Sequence, residues 1–301
     1  MISPEWPALP FREWESTCDT LHLWTQIVGK TRLALTALEN HWWNVTLYVT
    51  PRGLQTPPIP FRHAGPHTFD VEFDFLAHRL AVRTSEGGLW SMALYPRSVA
   101  DFYGEYIAGL NDLGIDVKLH RTPDEFDDKT PFDEDHHHAS YDAAHVERFR
   151  RILINADRIF REFRSRFIGK CSPVHFFWGS FDLAVSRFNG RRATLPASVD
   201  PLTREGYSHE VISCGFWPGD RRFPEPAFYS YTAPAPASLD RETPRPAAAF
   251  WDRQLGEFIL KYDDARAAAS PEQAILDFCQ STYEAGANLA GWDRDSLERP
   301  S

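Results

Sequence analysis

The residues best suited to chemistry are His175 and Asp182, which lie seven positions apart in an aromatic-rich segment. In an unbroken β-strand this separation places the two side chains on opposite faces. A β-bulge at Gly179 would add one residue to the strand and bring both side chains to the same face. A carboxylate beside an imidazole is an arrangement that general acid–base catalysis uses, so we expect His175 and Asp182 to be catalytic residues.

The same segment contains three candidates for ligand binding, Trp178, Arg187 and Arg191. A large ring can line a pocket, and a guanidinium can hold an anionic group. A structural interpretation of the segment also stands, in which Asp182 pairs with Arg187 or Arg191 and braces the sheet. The sequence alone leaves both interpretations open.

The strand predicted to begin near Ser208 contains further candidates for the same pocket. Glu210 would supply a second catalytic carboxylate, and His209 would contact a ligand. Adjacent residues of a strand face opposite ways, so only one of these two side chains can point into a given pocket. Trp217, near the end of this strand, is a further candidate for ligand contact.

In the first half of the chain, Asn40, His41 and Trp42 correspond in position to the start of the His175 segment. The cationic side chains near them that would bind an anionic group are Lys30, Arg32 and Arg52. Pockets favour the junctions between structural units. We therefore expect an aromatic cleft between the two halves, with His41 and His175 close together and all three first-half residues contacting the ligand.

Two other motifs contain reactive residue types but lack the geometry for chemistry. Gly29-Lys30-Thr31 resembles the end of a phosphate-binding loop, but Trp24 occupies the position where that loop needs its first glycine. The run from His136 to His138 follows three acidic residues, yet adjacent side chains point in different directions and do not easily share one metal ion. We expect no metal site and no cofactor.

Hydrophobic periodicity predicts the elements that would position these residues. In the first half they are a helix over 14–29, strands over 41–50, 68–84 and 89–95, and a helix over 98–114. Ser98, with an acid three residues later, predicts an N-cap for the last of these. In the second half a long helix stops at Gly169, strands follow, and Ser270 caps a final helix.

The second half repeats the order of elements in the first, which predicts an α+β fold built by internal duplication of a helix–antiparallel sheet–helix unit. The predicted halves are 1–121 and 141–301, joined by an acidic, exposed linker over 122–140. Residues 222–247, rich in proline and alanine, are interpreted as an insertion in the second copy. The alternative is that helix–strands–helix is simply a common arrangement. Whether the halves share one sheet stays open.

Composition and charge argue against several classes of protein. Among the 301 residues, 42 acids oppose 32 bases for a net charge of −10, which disfavours nonspecific binding to nucleic acid or anionic membranes. No apolar run approaches the roughly 20 residues of a membrane helix, and the first 14 residues lack the apolar stretch of a signal peptide. The four cysteines are scattered, so we expect reduced thiols and a cytoplasmic location.

Five segments resemble the hallmark segments of a bacterial family known only as a domain of unknown function. They are His22–Arg32, Asn40–Trp43, Arg52–Leu54, His175–Arg191 and Ser208–Gly219. The resemblance spans most of the chain, and the stretch from Trp178 to Leu183 is its most specific part. It implies no activity, but it favours the polar residues inside these segments as site candidates.

Two classes of function follow from these observations. One is an enzyme for a small polar or anionic metabolite, with His175 and Asp182 or Glu210 as acid and base. The other is a non-catalytic ligand-binding or scaffold protein with an aromatic cleft. No nucleophile elbow, zinc signature or dinucleotide fingerprint selects a named reaction, and the oligomeric state is left open.

Overall fold

The structure, a computed structural model, describes residues 5–62 and 65–300. These residues form an α+β fold with helices and two antiparallel sheets of six strands each. The helices are α1 (Phe11–Leu35), α2 (Val99–Asp112), α3 (Ala143–Ser165), α4 (Pro201–Gly206), α5 (Tyr262–Ala267), α6 (Pro271–Leu289) and α7 (Arg294–Leu297). None of the helices in the described ranges is long and apolar enough to span a membrane.

The strands of the first sheet are β1 (Tyr48–Val49), β2 (Gly53–Gln55), β3 (Ile59–Arg62), β4 (Pro66–Asp74), β5 (Arg79–Thr84) and β6 (Leu89–Ala93). Those of the second are β7 (His175–Phe177), β8 (Asp182–Arg192), β9 (His209–Trp217), β10 (Ala227–Ala233), β11 (Phe250–Asp252) and β12 (Glu257–Lys261). The first sheet has the order β1-β2-β4-β5-β6, with β3 also paired to β4, and the second has the order β11-β12-β10-β9-β8-β7.

The chain divides into two compact units, each assembled from separate stretches of sequence. The N-terminal unit comprises residues 12–154 and 176–181, and the C-terminal unit comprises residues 5–11, 155–175 and 182–300. Helix α3 therefore contributes residues to both units. The acidic stretch at 122–140 lies within the N-terminal unit.

Stacked rings join the helices of the N-terminal unit to its sheet. The Trp24 ring of α1 lies 4.7 Å from that of Phe102 on α2, which in turn stacks on Phe73 of β4. Helix α2 begins as predicted, because the Ser98 hydroxyl accepts a hydrogen bond from the Asp101 N–H. Helix α1 extends to Leu35 and does not end at Gly29 as predicted. Most of its residues are buried.

The second sheet has one apolar face and one polar face. Leu183, Phe216, Phe228 and Leu260 lie in register across four strands and are all buried. The Phe228 ring contacts Phe160 of α3 on this apolar face. Because neighbouring residues in a strand alternate between faces, the residues flanking these positions lie on the opposite face.

Two predicted strands are corrected by the backbone. Residues Asn40–Val45 form a 3-10 helix instead of the start of a strand, since His41 and Trp42 have φ values of 60° and 62°. These left-handed conformations are incompatible with an extended chain. The segment predicted as one strand over 68–84 is two, β4 and β5, separated by a turn in which His78 has φ 46°.

The predicted insertion and the predicted exposed linker both contribute residues to the cores of their units. Strand β10 lies inside the predicted insertion at 222–247, yet it pairs with both β9 and β12 in the middle of the second sheet. Within the acidic stretch, Phe126, Phe132 and Asp135 are buried. The stretch has no helix or strand, but it is not exposed along its length.

Candidate functional site

His175 and Asp182 belong to successive strands, not to one bulged strand. His175 begins β7, Asp182 begins β8, and residues Trp178–Phe181 form a turn between them. Phe181, with φ 58°, takes the left-handed conformation in this turn. The bulge predicted at Gly179 is therefore replaced by a reversal of the chain. His175 is 0% exposed and Asp182 is 6% exposed.

The Asp182 carboxylate accepts a hydrogen bond from the hydroxyl of Tyr229. Tyr229 lies on β10, and its cross-strand neighbour on β9 is Gly215. A Cβ atom at position 215 would overlap the Tyr229 hydroxyl and ring. The tyrosine thus lies across the glycine and reaches the aspartate of β8, which explains why β9 has no side chain at this point.

Two more tyrosines extend this network over the polar face of the sheet. The rings of Tyr229 and Tyr231 are nearly parallel, at 5°, with centroids 6.1 Å apart. The Tyr207 hydroxyl donates a hydrogen bond of 3.2 Å to that of Tyr231. Burial raises the pKa of both Tyr229 and Tyr231. The negative charge of Asp182 raises the pKa of Tyr229 further, and Tyr207 and then Asp182 raise that of Tyr231. Both phenols therefore keep their protons at neutral pH.

Glu257, a carboxyl group on the same face, changes protonation near neutrality. It begins β12 and lies directly opposite Asp252 of β11. Burial is the main cause that raises the pKa of Glu257 to about 7, and the negative charge of Asp182 is the second. Asp252 raises this pKa slightly further, and Arg222 lowers it by a small amount. We call Asp182, Tyr207, Tyr229, Tyr231 and Glu257 the tyrosine–carboxylate cluster.

The cluster combines groups that exchange protons with groups that hold a ligand. At neutral pH Glu257 is present in both its acid and its base form, the condition under which a carboxyl group is an effective general acid or base. Asp182 is held in place by its phenol donor. The tyrosine rings, half-buried on one face of a sheet, offer stacking surfaces for a flat or ring-shaped molecule.

Glu210 is bound to three donors on β8 and near α7. Its carboxylate oxygen accepts hydrogen bonds from Asn189, Arg191 and Trp292 at 2.6, 2.7 and 3.1 Å. Arg191 also donates to the Ala290 carbonyl. This arrangement braces the sheet against the C-terminal end of α6 and leaves the predicted catalytic carboxylate engaged in structural bonds.

The other predicted residues of the C-terminal unit are dispersed, except that Trp217, two positions after Gly215 on β9, shares the polar face with the cluster. Arg187 is fully buried and lies an odd number of positions from Asp182 along β8, so it faces the opposite side of the sheet and the predicted pairing with Asp182 does not form. His209 is half-buried with its Nδ1 atom 3.2 Å from the Ser208 hydroxyl. Trp217 lies with its ring 5.8 Å from that of Phe223.

In the N-terminal unit, Trp178 has a structural position. Its indole N–H donates to the Val45 carbonyl at 2.8 Å, and its ring packs so closely on α1 that a Cβ at Gly29 would overlap it. Lys30 forms an ion pair of 2.6 Å with Asp124. The glycine and lysine that resemble part of a phosphate-binding loop are thus used to pack and anchor the helix.

The other predicted first-half residues differ in exposure. Asn40 is exposed, His41 is 5% exposed and Trp42 is half-buried. Consecutive left-handed conformations at non-glycine residues are costly and tend to be kept where function requires them. Arg52 donates to the buried carboxylate of Asp74 at 2.5 Å, so this predicted anion ligand is already paired.

The histidine run caps a helix. Its last member, His138, has its Nδ1 atom 2.8 Å from the carboxylate of Asp135. The carbonyls of the same two residues accept the N–H groups of Val99 and Ala100 in the first turn of α2. No group of three or more histidine, cysteine or acidic residues in the part of the chain that the structure describes could hold a metal ion.

The model of a family described as "Family of unknown function (DUF5996)" matches residues 6–299. The chain belongs to this family. The match covers all five segments that suggested such a relationship, and it includes both units. No curated protein and no solved structure shows significant similarity to the chain.

Within this DUF5996 chain, sequence reasoning missed Tyr229, Tyr231 and Glu257. The two tyrosines alternate with the buried Phe228 and Ser230 along β10, which is the period-two signal of a strand. The signal was present, but prolines and alanines on either side favoured an insertion. The raised pKa of Glu257 has no local signal, because its main neighbour Asp182 is distant in sequence.

Proposed function

We propose that the protein is an enzyme that acts on a small polar metabolite by general acid–base catalysis at the tyrosine–carboxylate cluster. The observation that carries the proposal is the carboxyl group of Glu257, whose pKa of about 7 results from burial and from the charge of Asp182. Perturbed carboxyl groups beside a second carboxylate are characteristic of catalytic sites.

The proposed roles follow from the protonation states. Glu257 donates a proton to the substrate in its acid form, and Asp182, oriented by the Tyr229 hydroxyl, accepts one. Tyr231 donates a hydrogen bond and a stacking surface. Two carboxylates on one face favour a neutral or positively charged substrate over an anionic one, and the predicted anion ligands Arg52 and Arg191 are bonded to Asp74 and Glu210.

This proposal does not give His175 the acid–base role that the sequence predicts for it. Full burial separates its side chain from solvent, whereas a general acid or base must exchange its proton in each catalytic cycle. We therefore assign the acid–base function to Asp182 and Glu257. The cleft between the predicted halves, with His41 beside His175, stays a prediction.

The experiment is a turnover screen with pooled sugars, polyols, amino acids and nucleosides, followed by proton NMR at neutral pH. Glu257→Gln and Asp182→Asn should abolish any turnover found, while Glu242→Gln, an exposed glutamate of the same unit, should leave it unchanged. Turnover that survives Glu257→Gln contradicts the proposal. Saturable binding without turnover would identify a non-catalytic ligand-binding protein instead.

We also propose that the two halves arose by duplication. Helices α2 and α6 share the sequence Tyr-x-Ala-Gly, at Tyr106–Gly109 and Tyr283–Gly286. In each helix the tyrosine is fully buried and the glycine lies against a side chain of the same unit's sheet, Trp90 or Thr232. A family profile built from either half should detect the other half, and failure to do so would argue for independent origins.

A cytoplasmic location is proposed on the chemistry of the cysteines. All four, Cys18, Cys171, Cys214 and Cys279, are free thiols, and three of them are buried. Free thiols persist in a reducing compartment. Thiol alkylation of freshly lysed cells should label all four cysteines once the protein is denatured, and labelling before denaturation shows which thiols are accessible. Oxidised cysteines in the fresh lysate would contradict this location.

A further inference from the structure

We propose that the C-terminal unit has a second ligand site, which binds a phosphate group, free or esterified to a small molecule, in an arginine-lined cavity. This cavity is an open pocket at the surface with a volume of about 360 Å³, and its lining includes the exposed Arg164 and Arg299 and the less exposed Phe167 and Cys171. None of the described residues that line it is acidic. In a protein of net charge −10, this concentration of unopposed positive charge needs an explanation.

Both lining arginines are oriented by backbone carbonyls. The Nε atom of Arg164 donates to the Ser172 carbonyl at 2.6 Å, and that of Arg299 donates to the Ser165 carbonyl at 2.8 Å. These bonds fix the guanidinium planes but do not neutralise them. By contrast, Arg161 on α3 and Arg166 just after it form ion pairs with Asp157 and Glu162.

A third arginine lies behind the cavity wall. Arg187 is 0% exposed. Its Nη2 atom donates to the Phe163 carbonyl, and its Nε and Nη1 atoms have no hydrogen-bond partner among the described residues. Its guanidinium carbon lies 3.5 Å from the centre of the Phe163 ring and 5.1 Å from that of Phe167, which lines the cavity. Its backbone pairs with that of Cys171, another lining residue.

A buried, unpaired cation is costly, so a bound anion would compensate Arg187. Burial lowers the pKa of the Arg187 guanidinium, as expected for a charge without a close counterion. The carboxylate that influences it, Glu298, is committed to Arg294 at 2.5 Å. Arg187 is not among the lining residues, so it would act on an anion in the cavity through its positive charge and not through a direct hydrogen bond.

Phosphate fits this arrangement better than a single carboxylate. Guanidinium groups bind phosphate oxygens through paired, charge-assisted hydrogen bonds, and the two lining arginines, with the charge of Arg187 behind them, suit a dianion. The ring of Phe167 and the side chain of Ile168 give the cavity an apolar wall, which suits the organic part of a small phosphate ester. Arg187 behind the cavity points to the apolar face of the second sheet, whereas the tyrosine–carboxylate cluster lies on the other face.

The test is isothermal titration of the full chain with inorganic phosphate and, separately, with glycerol 3-phosphate. We expect saturable binding of at least one, weakened about tenfold or more by Arg164→Gln and by Arg299→Gln, because each removes a charged hydrogen-bond donor. Arg161→Gln is the matched control on α3 and should leave the affinity unchanged. Equal binding of both probes assigns recognition to the phosphate alone, and preference for the ester assigns it to a metabolite.

The proposal is overturned if neither probe binds saturably, or if Arg164→Gln and Arg299→Gln bind as tightly as the natural chain. Arg187→Met removes the charge behind the cavity wall and leaves an apolar side chain between the rings, so it should weaken binding while far-ultraviolet circular dichroism shows a folded protein. Glu257→Gln should bind both probes normally. The outcome of this test is therefore independent of the proposed acid–base function.

Discussion

At the scale of single residues, the polar face of the second sheet is organised by one hydrogen bond and one perturbed carboxyl group. The Tyr229 hydroxyl fixes Asp182, and the resulting buried negative charge contributes to the raised pKa of Glu257. The neutral form of Glu257 is thereby favoured in the folded state. This coupling makes both the proposed chemistry and the stability of the protein depend on pH.

Glu257→Gln should stabilise the protein above neutral pH. The pKa of Glu257 is raised from 4.5 to about 7 on folding, so the folded state binds the proton more tightly and stability falls as pH rises through that window. A neutral glutamine removes this loss, giving a gain of up to about 3 kcal/mol above neutrality and little gain near pH 4. Urea denaturation of both proteins across this pH range measures the difference.

Only part of this site could be predicted from sequence. Asp182 was predicted to be catalytic and does lie in the cluster, because an acid in a predicted strand beside aromatic residues is a visible local signal. Its bond to Tyr229 was not predicted, since it joins β8 to β10 across Gly215. Such a bond requires the order and register of the strands, which the residue pattern does not contain.

At the scale of secondary-structure elements, two glycines of α2 have opposite structural roles. A Cβ at Gly109 would overlap the ring of Trp90 on β6, whereas nothing lies within 4 Å of a Cβ at Gly104. Gly109→Ala should therefore destabilise the protein by about 1–3 kcal/mol through overpacking. Gly104→Ala should stabilise it by about 0.5–1 kcal/mol, because alanine is the better helix former.

Equilibrium urea unfolding of the two α2 variants checks this contrast, and each serves as the control for the other. A stabilising Gly109→Ala would show that Trp90 is free to move away from the helix. Equal effects of both substitutions would show that helix propensity alone decides, and that the close approach of α2 to β6 is unimportant for stability.

Local signals predicted the starts of α2 and α6 correctly and the irregular segments poorly. The predicted caps Ser98 and Ser270 accept hydrogen bonds from the first turns of their helices. Asp142 does the same for α3. The 3-10 helix at Asn40–Val45 was predicted as a strand, because tryptophan and valine favour strands. The left-handed backbone at His41 and Trp42 has no corresponding signal in these residue types.

At the scale of the whole molecule, the path of the chain decides how it can be divided. Residues 12–154 form the N-terminal unit only together with 176–181. Within that unit the Phe149 ring lies 5.1 Å from Trp14 and 5.4 Å from Phe181. A cut at the predicted boundary after residue 140 would remove both phenylalanines from the core of the unit.

A fragment of residues 1–140 should therefore fail to form a native core. Its proton–nitrogen NMR spectrum should show the narrow dispersion of an unfolded or loosely packed chain, and its thermal transition should lack cooperativity. The full chain is the control and should give dispersed resonances. A fragment with a dispersed spectrum and a cooperative transition would show that the predicted first half and linker fold without Phe149 and Phe181, which would contradict the division of the chain given above.

The α+β class was predictable, because alternating and helical periodicities are distinct along much of the chain. The discontinuous units were not, since α3 reads as one uninterrupted helix and its division between two cores depends on tertiary packing. The central position of β10 was missed for the same reason.

The most direct test of the proposed function is a carbon-13 NMR titration of the glutamate side-chain carboxyl groups, with Glu257 assigned by comparison with Glu257→Gln. The structure predicts that Glu257 titrates at about 7, and that Asp182→Asn lowers this value because it removes a neighbouring negative charge. A Glu257 pKa near the ordinary 4.5, unchanged by Asp182→Asn, would contradict the assignment of an acid–base site to the tyrosine–carboxylate cluster.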